Sequence, residues 1–203
     1  MNRFLKNLTG LICLMGLLCS AGLSQEKSQS DEARRMAAYR ETMNPGPEHK
    51  QLEALAGSWN TEIKIWPGPG AKPMLFEGNC ENRMALGGRF LVSEGKGGQG
   101  QMAIENMSIF GFDRRVKKFT SVGYDTEGTY YVTAAGAYDE KEKAIVMTGE
   151  EFDPVLNHNQ KYRFVLRVVD PDTYVEEVFF ADSAHTKGLS EFKAAEITHR
   201  RKK

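Results

Sequence analysis

Few residues in this 203-residue chain have the type or spacing to carry chemistry. The four histidines, His49, His158, His185 and His199, are never closer than 14 residues in sequence. Zinc sites draw on several clustered ligands, and neither His-Glu-x-x-His nor Cys-x-x-Cys spacing occurs, so no metal is expected. Glu150-Glu151 and Glu176-Glu177 have the side chains for paired acid and base catalysis. Adjacent strand residues point to opposite faces, so each pair offers an interior at most one carboxylate. No Gly-x-Ser-x-Gly elbow exists. Cys80 lies on a stretch whose even positions, Phe76, Gly78 and Met84, read as buried, and packing is its expected role. The run Gly95-Lys96-Gly97-Gly98-Gln99-Gly100 lacks the Gly-Lys-Ser/Thr ending of a phosphate loop and reads as a hairpin. No catalytic residue and no cofactor is expected.

The elements that position these residues follow from periodicity. Trp59, Thr61, Ile63 and Ile65 alternate with Asn60, Glu62 and Lys64, as on a half-buried strand. Tyr162, Phe164, Leu166 and Val168 alternate in the same way with Lys161, Arg163 and Arg167. Apolar-Asp pairs punctuate the chain at Phe112-Asp113, Tyr124-Asp125, Tyr138-Asp139, Phe152-Asp153 and Val169-Asp170, at steps of 12, 14, 14 and 17 residues. A strand and a tight turn fill such a step, and aspartate favours turns because its carboxylate bonds nearby amides. The spacing predicts about ten strands near 59–66, 74–84, 89–95, 101–112, 118–124, 129–138, 144–152, 161–169, 174–181 and 191–200. A meander this long hides its edges by closing into a barrel. The expected fold is therefore all-β, an antiparallel meander barrel.

Two helices precede the strands. Ser30 to Met43 places Met36, Tyr39 and Met43 on one face, and Asn44-Pro45-Gly46-Pro47 breaks it. Leu52, Leu55 and Ala56 give a short helix over 48–56, stopped by Gly57, whose apolar stripe would plug one end of the barrel.

Arg3 and Lys6, the apolar run Leu8 to Leu18, and the small residues Ser20, Ala21, Gly22 and Ser24 read as a secretory signal peptide over 1–24. The run is shorter than the roughly 20 apolar residues of a spanning helix. Leu18 before Cys19 disfavours lipid attachment, so cleavage near Ser24 and a periplasmic or extracellular location are expected. Removing 1–24 leaves 25 basic against 27 acidic residues, a net charge of −2 that does not steer toward nucleic acid or anionic membrane. Cys13 and Cys19 fall in the signal, leaving Cys80 alone, so the domain must stand on its core. The organisation read is signal 1–24, helical linker 25–47 and barrel 48–203.

Several ordered motifs resemble the bacterial family called domain of unknown function 1579. They are Pro45-Gly46-Pro47-Glu48-His49-Lys50, Leu55-Ala56-Gly57-Ser58-Trp59, Pro67-Gly68-Pro69-Gly70-Ala71-Lys72-Pro73 and Leu86-Gly87-Gly88-Arg89-Phe90-Leu91. Gly111-Phe112-Asp113, Gly136-Ala137-Tyr138-Asp139 and Glu196-Ile197-Thr198 complete the set. The resemblance implies a calycin-like barrel, similar to lipocalins and fatty-acid-binding proteins, and no established activity. Gly123 stands where the family commonly has tryptophan, before the aspartate matching Asp125. Gly57-Ser58-Trp59 also resembles the lipocalin Gly-x-Trp, whose indole closes the barrel floor beneath an arginine from the chain's end. Arg201 is the matching arginine.

The expected function is a binding module that holds a small, largely apolar molecule. The candidate pocket residues are Trp59, Arg89, Asp125, Glu177 and His199, with Trp59 and Arg201 also structural. Small residues Gly123, Ala134, Ala135, Gly136 and Gly149 would leave room inside. Alternatives are an enzyme using the cavity for hydrolysis or isomerisation, a filled barrel acting through protein partners, and a haem barrel of the nitrobindin type. His199 shares an inward face with Ala195 and Ile197 and would be the iron ligand of the last. A core histidine bonded to a neighbour is the simpler reading.

Overall fold

Five aspartates end five consecutive strands. In a computed structural model, which describes residues 30–181 and 186–203, Asp113, Asp125, Asp139, Asp153 and Asp170 close β4 (Ile104–Asp113), β5 (Lys118–Asp125), β6 (Val132–Asp139), β7 (Ala144–Asp153) and β8 (His158–Asp170). Each carboxylate accepts the amide N–H two residues on, from Arg115, Glu127, Lys141, Val155 and Asp172 at 2.8–2.9 Å. Three of these turns also carry a left-handed non-glycine residue, Lys117, Lys143 or Asn157. The other strands are β1 (Gly57–Ile65), β2 (Met74–Ala85), β3 (Phe90–Gly97), β9 (Thr173–Phe180) and β10 (Phe192–Arg201).

Every strand runs antiparallel to its sequence neighbours, and β1 pairs with β10 to close the barrel. The closing register sets Trp59 opposite Arg201, Thr61 opposite His199 and Ile63 opposite Ile197. Among the described residues, closure leaves no strand edge unpaired. About ten strands were expected and ten are found among the described residues, with three starts displaced by three residues; β4, expected from 101, begins at Ile104 because Gly100–Met102 form a helical turn. The expected strand near 129 begins at Val132, leaving Tyr130 and Tyr131 exposed in the turn. β8 begins at His158, three residues before the expected start near 161. Element ends carry the weakest signal because the pairing partner, not local propensity, decides where a ladder stops.

Two helices precede the barrel, α1 (30–43) and α2 (Pro47–Glu53). Pro45–Lys203 form one compact unit and the described residues through Asn44 belong to another. On α1, Met36, Tyr39 and Met43 are exposed. In α2, Pro47 occupies the first turn, where its missing N–H has no helical partner to lose. The Gly46 N–H donates to His49 Nδ1 at 3.0 Å. His49 is buried edge-on to Phe112, and burial lowers its pKa. Leu52 and Leu55, 1% and 2% exposed, join the core beneath the barrel.

The expectation that small residues leave room inside is not met where the contacts can be read. A Cβ on Gly136 would lie 1.9 Å from the Val146 carbonyl oxygen, and one on Gly149 would meet the Tyr162 ring at 2.7 Å. These glycines let neighbouring backbone and an aromatic ring approach, so the space is already taken. Ala134 is buried in the core, and Ala135 falls on the outer face by alternation.

The segment expected to be a signal peptide, with Cys13 and Cys19, lies outside the described residues, as does His185.

Candidate functional site

The floor of the barrel is assembled from its two chain ends. Trp59 opens the inward face of β1 and is 1% exposed. Its Nε1–H donates to the Leu55 carbonyl at 3.0 Å, tying the strand to the end of α2. The Arg201 guanidinium lies 4.1 Å above the indole. It also donates to the carbonyls of Ala56, Ala54 and Pro171 at 2.8, 2.9 and 3.1 Å. Gly57 adopts φ 129, and a Cβ there would lie 2.7 Å from Arg201 Nη1. Glycine in Gly-x-Trp is thus required twice, by the backbone and by the guanidinium that fills its side-chain space.

Directly above this floor three strands contribute a polar cluster. His199 (β10), Cys80 (β2), Tyr174 and Glu176 (β9) share the inward face set by the register, because His199 opposes Thr61 and Tyr174, while Cys80 opposes Trp59. The Cys80 Sγ lies 3.4 Å from His199 Nδ1, and His199 Nε2 lies 3.6 Å from Glu176 Oε2. The imidazole stacks on the Tyr174 ring, centroids 3.9 Å apart. Asn82 Nδ2 donates to the Tyr174 hydroxyl and the Leu55 carbonyl, both at 2.9 Å, while Asn82 Oδ1 and His199 Nε2 are buried without a hydrogen bond. Burial pulls the His199 pKa down, but the Glu176 carboxylate and Cys80 outweigh it and raise it to about 9. His199 is therefore an imidazolium at neutral pH, facing Glu176 and Cys80. Burial pushes the Tyr174 phenol far up, so it stays neutral.

Above the cluster the interior is less completely buried. On β1, β5, β7, β9 and β10 the inward side chains are buried near α2 and become partly exposed toward the opposite end, while on β8 Tyr162 and Gln160 stay buried at that end. On β1 the sequence runs Trp59 and Thr61 buried, Ile63 partly exposed; on β10 it runs His199 buried, Ile197 partly exposed. Ser108, Val132, Phe164 and Val178 continue this partly exposed lining around the ring. The Glu176 side chain, 14% exposed, stands at the boundary between the two halves.

The five candidate pocket residues are not brought together. His199 lies at the junction of floor and interior, but Trp59 is sealed beneath it. Glu177 faces outward, held by Lys193 and by Arg167 at 3.3 Å. Glu176 is the inward member of that pair: it opposes Leu166 and Ile197, both on the core side. Arg89 ties the β2–β3 turn, donating to the Leu86 carbonyl at 3.0 Å. That turn lies at the α2 end, away from the open half. Asp125 caps the end of β5 and borders an outer groove of about 510 Å³ shared with Glu81, Lys96 and Tyr124.

Haem does not fit His199. One ring nitrogen faces the thiol, the other faces a carboxylate 3.6 Å away, and the ring face is stacked. A porphyrin plane has no place against either nitrogen. Among the described residues no group of three or more His, Cys, Asp or Glu side chains is arranged to hold a metal, and no helix is long and apolar enough to cross a membrane.

What the sequence reading missed is the pairing of Cys80 with His199. Each had a legible inward parity, but they stand 119 residues apart and meet only across β1. Their approach depends on strand order and register, neither of which alternation specifies.

Comparison with known proteins bears on the fold. The model of the family described as "Protein of unknown function (DUF1579)" matches residues 44–201. No curated protein matches the chain. Among solved structures, Rv2717c from M. tuberculosis superposes with a TM-score of 0.54 at 13% identity, covering 79% of this chain and all of that one. The S-type phycobiliprotein lyase CPES from Guillardia theta follows at a TM-score of 0.49 and 9% identity, covering 76% of this chain and 92% of the lyase. The likeness to Rv2717c is one of fold alone.

Proposed function

The chain belongs to the DUF1579 family of proteins of unknown function, and from the geometry of its barrel we propose that it binds a small, largely apolar molecule in the open half of the interior. The observation that carries this reading is the change on β1, β5, β7, β9 and β10 from buried inward residues near α2 to partly exposed ones beyond. A filled barrel would bury both halves alike. The lining is mainly Ile63, Val132, Phe164, Val178 and Ile197, with Ser108 and Glu176 as polar points. This is the composition of a ligand chamber, a mostly apolar wall with few oriented polar groups.

The test is ligand-induced stabilisation. Medium-chain alcohols, fatty acids and isoprenoids are offered to the wild type and to Val178→Trp, which narrows the chamber. At ten times its Kd a bound compound adds about 1.4 kcal/mol and raises Tm by about 3 to 6 °C. The expected result is a shift in the wild type that shrinks in the variant. No shift with any compound, and no bound species in organic extracts of the native protein, would remove the reading.

Export is part of the same proposal. It rests on the charged start, apolar centre and small residues of 1–24. Intact mass after expression in a bacterial host is expected to begin near Gln25; a chain beginning at an acylated Cys19 would overturn this.

A further inference from the structure

We propose that the end of the barrel opposite α2 docks on a zwitterionic lipid surface, with the β1–β2, β3–β4, β5–β6 and β7–β8 turns laying their apolar side chains into its interface. The proposal stands on these turns and is independent of the chamber reading above.

In a closed antiparallel meander, alternate turns fall at opposite ends of the barrel. Helix α2 leads into the start of β1 and packs on β3 and β4, which places it at the end of the β2–β3, β4–β5, β6–β7 and β8–β9 turns. The two sets of turns differ in composition. Nine of the fourteen residues in 86–89, 114–117, 140–143 and 171–172 are charged, against two, Lys72 and Glu127, among the twenty-four in 66–73, 98–103, 126–131 and 154–157. The β9–β10 connection lies at the same end as the second set and is more polar, with Lys187 and Glu191.

The turns of low charge carry apolar groups at their tips. Val155 is 89% exposed, and Leu156, Tyr130, Tyr131 and Met102 are exposed with it. Phe152 and Leu75 are exposed on the outer faces of the strand ends just behind. At the other end Leu86 and Val116 are exposed too, but Leu86 is tied to Arg89 and Val116 lies between Arg115 and Lys117. Exposed apolar groups gathered on one end mark a contact surface. Their transfer to a lipid interface is favourable in proportion to apolar area, and tyrosine suits the headgroup level because its ring is apolar while its hydroxyl stays wet.

The arrangement suits lipid better than a folded partner. The tips stand round the barrel mouth about 10 Å apart, two strand spacings, and a fluid planar surface meets every point of such a ring at once. A second copy would need about 800 Å² of complementary surface in one face, which small tips round an opening do not form. Charge sets the lipid class: one lysine and one glutamate across the four turns give an anionic surface nothing to attract. Charge also sets the depth. Lys96 and Glu105 pair at 2.8 Å on the outer wall just behind the β3–β4 turn, so contact stops at the tips.

The experiment mixes the full chain with dioleoylphosphatidylcholine vesicles containing a phosphatidylcholine whose acyl chain carries a photoactivatable diazirine near the headgroup, and maps lipid adducts by peptide mass. Mapping is required because the apolar run Leu8 to Leu18 can itself enter a vesicle. Adducts are expected on peptides holding 126–131 and 154–157 and not on those holding 114–117 and 140–143. Val155→Asp combined with Leu156→Asp is expected to lower the yield at 126–131, a different turn, about tenfold or more, because two exposed apolar side chains become charged. Both positions are exposed, so circular dichroism and the urea midpoint are expected to stay as in the wild type. High salt is expected to leave the yield intact, since no electrostatic attraction is there to screen. No adducts, adducts confined to residues before 30, adducts spread equally over both ends, or a yield at 126–131 unchanged in the double variant each overturn the proposal. So does a lipid-free dimer in sedimentation that the double variant splits, which would assign the ring to a second copy. Adducts at the tips with no ligand-induced Tm shift would keep this proposal and remove the chamber reading; Tm shifts without tip adducts would do the reverse.

Discussion

Trp59→Ala is expected to destabilise the protein by about 3 to 5 kcal/mol, the range for a large aromatic removed from a closed core. The indole is 1% exposed and touches every component of the floor. It donates to Leu55, meets Tyr174 edge-on at 4.8 Å between centroids, and carries the Arg201 guanidinium on its face. Removing it leaves a cavity that α2 and β10 cannot both collapse into, and strands the Leu55 carbonyl with Asn82 as its one remaining side-chain donor. Urea unfolding measures the loss. The Arg201 contact is separable by a double-mutant cycle of Trp59→Phe and Arg201→Ala. A coupling of about 0.5 to 2 kcal/mol is expected for a cation on a shielded ring. Strict additivity would mean that Arg201 acts only through the carbonyls of Ala54, Ala56 and Pro171.

Stability is expected to fall between about pH 6.5 and pH 9 by on the order of 3 kcal/mol, because His199 binds its proton more tightly in the folded state. Burial alone would lower the imidazole; Glu176 and Cys80 reverse the sign and set the folded value at about 9. A folded pKa above the ordinary 6.5 gives a contribution that is complete below pH 6.5 and lost as pH rises through 9. Glu176→Gln removes the main opposing charge and leaves burial dominant, so the slope should flatten or invert. Urea midpoints at pH 6, 7, 8 and 9 for both proteins decide it. A wild type and a Glu176→Gln variant with parallel profiles would show that the ion pair does not form.

The sequence carried most of the architecture. The period-two alternation of Trp59 to Ile65 and of Tyr162 to Val168, and the five apolar-Asp pairs, define strands and turns through local physics. An alternating stretch has one face to bury, and an aspartate bonds its own turn without help from the rest of the chain. The floor was legible too, since Gly57, Trp59 and Arg201 stand at the two ends of a meander that must meet on closing. The interior was not. Alternation cannot say which parity faces inward where both members of a pair are charged, so Glu177 was preferred to Glu176. Register settles this, with Glu176 opposite Leu166 and Ile197 and Glu177 placed outside among Arg167 and Lys193. Composition cannot say whether a glycine leaves space or receives a neighbour, so Gly136 and Gly149 read as room where backbone and Tyr162 already sit. The pairing of Cys80 with His199 had no local signal, because it arises from β1 lying between β2 and β10. Element type is a property of a few consecutive residues and was settled by the sequence. The meeting of a thiol, an imidazole and a carboxylate in the barrel interior is a property of closure and register, which the whole chain sets together.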